Sequence, residues 1–84
     1  MGYKVNYLSS VEGTGKKSGR AYFMMTILIS VYENTKVVQS YTTNIFLNEE
    51  QFHFVKELAP MQELEVIFVP TARGMQIIQL DIAG

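Results

Sequence analysis

Eighty-four residues, 48% hydrophobic and 18% charged, are enough for one small core and exclude both a multidomain protein and a disordered chain. No cysteine is present, which excludes a disulfide framework and a thiolate zinc site. The net charge of −1 does not mark a strongly basic polyanion binder.

Residues 3–11 (YKVNYLSSV) alternate imperfectly and predict a first strand. Glu12 to Gly19 reads as a loop with three glycines, two lysines and Ser18. The second strand is predicted from Arg20 to Tyr32. Its odd positions, Ala21, Phe23, Met25, Ile27, Ile29 and Val31, make an ordinary core face. Its even positions are Arg20, Tyr22, Met24, Thr26, Leu28, Ser30 and Tyr32. Two tyrosines, a methionine and a leucine are more apolar surface than a merely solvated face requires. Glu33-Asn34-Thr35 is a short hairpin connection in which Asn34 suits a left-handed backbone. Residues 36–47, rich in Val, Tyr, Thr, Ile and Phe, predict a third strand.

Asn48 can cap a helix, with Gln51 reaching back to it as in a capping box. Leu47 and Phe52 occupy the positions of a hydrophobic staple, and Glu49 and Glu50 favour the helix dipole. Phe52, Val55 and Leu58 fall on one face, and Pro60 stops the element, which predicts a helix of about three turns. Residues 63–69 (ELEVIFV) predict a fourth strand, and Pro70 to Gly74 a turn with Arg73 at its tip. Residues 75–82 (MQIIQLDI) predict a fifth, with Ile78, Leu80 and Ile82 on one face.

One helix between the third and fourth of five strands is the connectivity of an OB-fold, a five-stranded, partly open Greek-key barrel. The expected fold is therefore all-β with one helix, a single OB-fold domain over residues 1–84, the helix plugging one barrel end. An SH3-like barrel, a β-sandwich and a PilZ-like barrel are the alternatives.

Charge is unevenly spread. Lys4, Lys16, Lys17, Arg20 and Lys36 against Glu12 and Glu33 leave residues 1–47 at +3. Lys56 and Arg73 against Glu49, Glu50, Glu57, Glu63, Glu65 and Asp81 leave residues 48–84 at −4. The N-terminus lacks the apolar core of a signal peptide, and Ala21 to Tyr32 is too short for a membrane span. A cytoplasmic protein without a membrane partner is expected.

Catalysis has little to stand on. His53 is the only histidine and is expected to face water; no nucleophile–base pair and no metal-ligand spacing is visible. Phe54 faces away from the helix's apolar stripe and is available to pack under a loop or against a partner. The stretch GTGKKSG lacks the spacing of a phosphate-binding P-loop and leads into a strand. It is either a solvated loop or a mobile basic arm that closes over a polyanion.

In an OB-fold, ligands lie across strands two and three and between the flanking loops. Single-stranded nucleic acid binds there by stacking bases on aromatics, with cations along the edges. Tyr22 and Tyr32 suit stacking, with Met24 and Leu28 as apolar floor and Tyr41 expected to join them. Lys16, Lys17 and Arg20 lie at one end, Lys36 at the other, and Arg73 on the opposite flanking loop. The other reading makes Met24 and Leu28 core or dimer contacts.

The chain resembles the small single-stranded DNA-binding proteins of bacteriophages and mobile elements, of which the filamentous-phage gene V-like proteins are the best-known branch. The resemblance lies in YKVNYLSSVEGTGKKSGRAYFMM, where a Gly/Lys/Ser loop ends in Ser-Gly-x-x-Tyr, and in LAPMQELEVIFVPTARGMQIIQLDI. Met61 stands where a turn glycine is common in such sequences. The resemblance implies an OB-fold dimer that coats exposed strands cooperatively during replication, with Lys16, Lys17, Arg20, Tyr22 and Arg73 as basic and aromatic contacts. It implies no enzymatic activity. The partners expected are single-stranded DNA, or RNA, and a second copy, with no cofactor, metal or small-molecule substrate. A protein–protein interaction module on a small β-barrel is the alternative.

Overall fold

The computed structural model describes residues 2–72 and 74–83. It has five strands and one helix: β1 (Gly2–Thr14), β2 (Ala21–Glu33), β3 (Lys36–Leu47), α1 (Glu49–Val55), β4 (Glu63–Thr71) and β5 (Gly74–Ile82). All strands join one antiparallel sheet in the order β3-β2-β1-β4-β5.

The alternation of β2 sets the two faces. Met25 and Ile27 are fully buried, with Phe23 and Ile29 packed beside them, as the odd positions predict. Ala21 is exposed, so the core face begins at Phe23. Val5, Tyr7, Ile45, Leu47, Val55, Leu64, Val66 and Ile77 complete the core. This side is the inner face, and the even positions of β2 form the outer face.

Three register shifts adjust this alternation. On β1 the pairing passes from Tyr7↔Ile27 to Ser9↔Thr26, leaving Leu8 as an extra residue. Beyond it Val11, not Ser10, shares the outer face with Met24. The inward Ser10 hydroxyl meets the Tyr7 hydroxyl at 2.8 Å. On β3 the extra residue is Val38. On β5 it is Ile78, so Ile77 is buried and Ile78 is 60% exposed. The expected common face of Ile78, Leu80 and Ile82 is thereby corrected at Ile78 alone: Leu80 and Ile82 pair with the core residues Val66 and Leu64 and share their face, although Ile82, at the strand's end, stays about half exposed, and the bulge takes Ile78 out of the alternation.

The expected barrel closure is not made. β3 and β5 are the two edges of the sheet; they touch without pairing among the described residues. The reason lies on the other side. β1 and β4 share only two ladder pairs, Val5↔Leu64 and Asn6↔Glu63. Bonds from Tyr7 N to Gln62 O and from Met61 N to Tyr7 O extend this seam, and the Asn6 amide donates to Met61 O. A seam so short leaves the β1-β2-β3 meander and the β4-β5 hairpin splayed.

The helix starts as the sequence predicts. Asn48 Oδ1 accepts from Gln51 N at 2.7 Å, and Gln51 Oε1 accepts from Asn48 N at 3.0 Å. It has two turns rather than three, ending at Val55 with Lys56 as its cap. Leu58 N then bonds Val55 O in a tighter turn, and Leu58 folds back onto the core. Proline disfavours a helical residue before it, so the chain leaves the helix ahead of Pro60. Met61 reverses the chain with a φ of 73°. α1 covers the end of the sheet nearest Phe23, stacking Phe52 on Phe23 at 4.9 Å and burying Val55 completely. Gln51 Nε2 also donates to Ile77 O at 3.2 Å, tying α1 to β5.

Candidate nucleic-acid interface

Paired residues on neighbouring strands point to the same face. Tyr22 therefore lies beside Gly13 of β1, and Met24 between Val11 of β1 and Phe46 of β3. The Tyr22 ring occupies the space above Gly13 that a side chain would otherwise fill. It meets Phe46 edge to face, with centroids 6.3 Å apart. Phe46 is 69% and Tyr22 39% exposed. Together they form an outward aromatic pair on a floor of Met24 and Val11.

The loop above this pair carries three cations. β1 and β2 extend to Thr14 and Ala21, so the loop is only residues 15–20. It is shorter than the expected Glu12–Gly19 loop because Glu12, Gly13 and Thr14 pair with Phe23, Tyr22 and Ala21. Gly15 N bonds Arg20 O and Gly19 N bonds Gly15 O, both at 2.9 Å. Gly19 has a φ of 68°, the region that favours glycine. Two backbone bonds thus hold the turn, and Lys16, Lys17 and Arg20 are all exposed on it.

Further along β2 the outer face is polar. Thr26 donates to Asn44 Oδ1 at 2.7 Å, and Ser30 is buried beside Lys4 and Ser40. Leu28 is half-buried. Tyr32 lies ten residues from Tyr22, about 33 Å at the usual strand rise, and belongs to a second cluster. There Lys4 Nζ sits 5.4 Å from the Tyr32 ring centroid and 3.8 Å from Glu63. Lys36 is exposed directly across from Glu33.

The structure thus places Lys16, Lys17, Arg20, Tyr22 and Met24 at one end of the outer face and Tyr32 at the other, whereas Lys36, paired with Glu33, falls on the opposite face and does not join them. Tyr41 does not join them. It pairs with Ile29 and so faces inward. Arg73 lies outside the described residues. Phe46 and Lys4 are additions that sequence reasoning missed. Phe46 was legible by counting: with Ile45 and Leu47 inward, the residue between them must point out.

The inner groove is the second feature. The end of the sheet opposite α1 is left uncovered, and a cleft of about 790 Å³ opens there. Tyr3, Ile29, Val31, Tyr41, Phe68 and Met75 line it. It contains no charged lining residue among those described. No group of three or more His, Cys, Asp or Glu able to hold a metal occurs among the described residues. His53 is exposed on α1, 3.6 Å from Glu49, and Phe54 is exposed toward Ile78 across a smaller cleft. No helix is long and apolar enough to cross a membrane among the described residues.

Comparisons with protein-family models, curated proteins and solved structures return no match.

Proposed function

We propose that the protein binds single-stranded DNA without reading its sequence, on an OB-like sheet left open between β3 and β5. The observation that carries this reading is the Tyr22–Phe46 pair, exposed on the outer face beneath a turn bearing Lys16, Lys17 and Arg20. Flat rings next to cations suit bases and phosphates together. The strand order supports the OB assignment, since pairing β3 with β5 would close the ring. The resemblance of the Gly/Lys/Ser loop to that of the phage and mobile-element proteins supports a role in coating strands during replication, in the host cytoplasm.

Bound bases stack on Tyr22 and Phe46, and the cations hold phosphates without discriminating bases. The test is a titration with oligo-dT. The chain has five tyrosines and no tryptophan, so tyrosine emission reports stacking. Quenching that is lost in Tyr22→Ala is expected. Flat emission and unchanged oligonucleotide anisotropy at low salt would remove the reading. A parallel titration with RNA decides whether the 2′-hydroxyl is tolerated.

A protein-interaction module is the second reading, favoured by the apolar groove at the uncovered end of the sheet. A nuclease-treated pull-down that retains a partner, from a chain that does not bind DNA, selects it.

A further inference from the structure

The two free edges of the sheet differ. β5 is bulged at Ile78 and carries Asp81. β3 pairs only with β2 among the described residues, and from Gln39 to Leu47 its register is unbroken. From Val37 to Leu47 it has no charged residue and no proline. An unpaired row of N–H and C=O groups templates another strand, so natural edges are blunted with lysine, proline, bulges or short length. Beyond the bulge at Val38, β3 has none of these.

The inner groove adjoins this regular stretch. Tyr41 and Thr43 pair with Ile29 and Ile27, so they share the inner face, and both line the groove. Phe68 of β4 and Met75 of β5 line it too, and no charged residue does among those described. On the outer side of β3, Ser40, Thr42 and Asn44 are polar and exposed. A strand laid along this edge has alternate side chains over the apolar cleft, and the side chains between them beside polar, solvated neighbours. Every neighbouring pair in the five-strand order is antiparallel, so β3 and β5 run in the same direction. A strand antiparallel to β3 therefore runs opposite to β5 as well and continues the pattern of the sheet.

We propose that the edge of β3 between Gln39 and Thr43 takes up an extended peptide of another protein. The peptide runs antiparallel to β3, uncharged and apolar at alternate positions over the groove and polar between them. This specifies the partner of the interaction-module reading and does not depend on DNA binding. Backbone bonds to β3 supply affinity, and the cleft selects the alternate side chains. A small apolar molecule could fill the cleft but would leave the β3 edge unpaired. A charged side chain turned into the cleft would find no opposite charge among the described lining residues.

Anisotropy of a labelled peptide that alternates valine and threonine, charged only at its ends, tests this. The alternating peptide should bind. Sorting its valines and threonines into two blocks, or replacing the central valine by lysine, should weaken binding about tenfold or more. Only one edge of the peptide is used, so N-methylation of one alternate set of its amides should abolish binding and N-methylation of the other set should not. Tyr41→Lys puts an ammonium in the groove and should weaken binding about tenfold or more. Gln79→Lys, on the outer side of β5, should leave it unchanged, and far-UV circular dichroism checks that each variant folds. In the wild type, alternate amides of residues 39–43 should gain exchange protection when the peptide is added. No binding of the alternating peptide, or an equal response to the two N-methylated sets, overturns the proposal. Protection of those amides that grows with protein concentration alone assigns the edge to a second copy and also overturns it. A pull-down partner that Tyr41→Lys still retains leaves the interaction-module reading standing and sinks this mode of binding. Oligo-dT quenching without peptide binding sinks this proposal alone, and peptide binding without quenching sinks the DNA reading alone.

Discussion

Tyr22 and Phe46 meet edge to face on the outer side of the sheet, their ring planes at 83°. Neither ring is needed to fill the core, and both are open to solvent. Phe46→Ala should therefore change stability by no more than about 0.5 kcal/mol, as surface substitutions ordinarily do. Under the proposed function it should nevertheless weaken oligo-dT binding by about 1–3 kcal/mol, the usual worth of one stacked base. Tyr22→Ala should weaken it similarly. Anisotropy with a labelled oligonucleotide and thermal melts of the same samples read the two effects separately.

Gly13 gives a subtler test. A Cβ at this position would collide with the far end of the Tyr22 ring, which can swing away. Gly13→Ala should therefore alter stability by less than about 1 kcal/mol, since β-strand alanine partly offsets the displaced ring. The ring that leaves can no longer sit edge-on to Phe46, so affinity for oligo-dT should fall although no aromatic is lost. Unchanged affinity in a folded Gly13→Ala variant would show that the Tyr22 position is irrelevant to binding.

Salt dependence tests the cations. With Lys16, Lys17 and Arg20 on phosphates, log affinity should fall against log salt with a slope of roughly −2. The double substitution Lys16→Ala/Lys17→Ala should reduce the magnitude of that slope by about 1.4. A slope near zero in the wild type, or one the double variant leaves intact, counts against phosphate contacts from this turn.

Met61 holds a φ of 73° with its side chain about half exposed. A left-handed backbone costs a non-glycine residue about 1–2 kcal/mol, and glycine's greater unfolded-state freedom returns about half of that. Met61→Gly should raise stability by about 0.5–1 kcal/mol in urea melts. The bonds from Met61 N to Tyr7 O and from the Asn6 amide to Met61 O involve only its backbone and survive the change.

Elements with local causes were legible in the sequence. The capping box at Asn48, the left-handed Asn34 at φ 60° and the buried odd positions of β2 each follow from neighbours a few residues away. The bulges at Leu8, Val38 and Ile78 were not, because an extra residue is defined only against the strand it pairs with. That is why Ile77 and Ile78 exchange roles. The inward direction of Tyr41 was available by counting back from Ile45 and Leu47 across a regular strand, as was the outward direction of Phe46. The open seam between β3 and β5 depends on how few residues join β1 to β4, a long-range quantity that alternation does not encode.

Two ladder pairs and a few flanking bonds connect the meander to the β4-β5 hairpin, whereas β1 and β2 pair along nearly their whole length. One core, from Val5 and Met25 to Leu64 and Ile77, still joins the two halves, so the narrow ladder concentrates their backbone connection in a few bonds beside Asn6 and Tyr7. Amides of β4 and β5 are expected to exchange faster than those of β1 and β2 in hydrogen-exchange measurements.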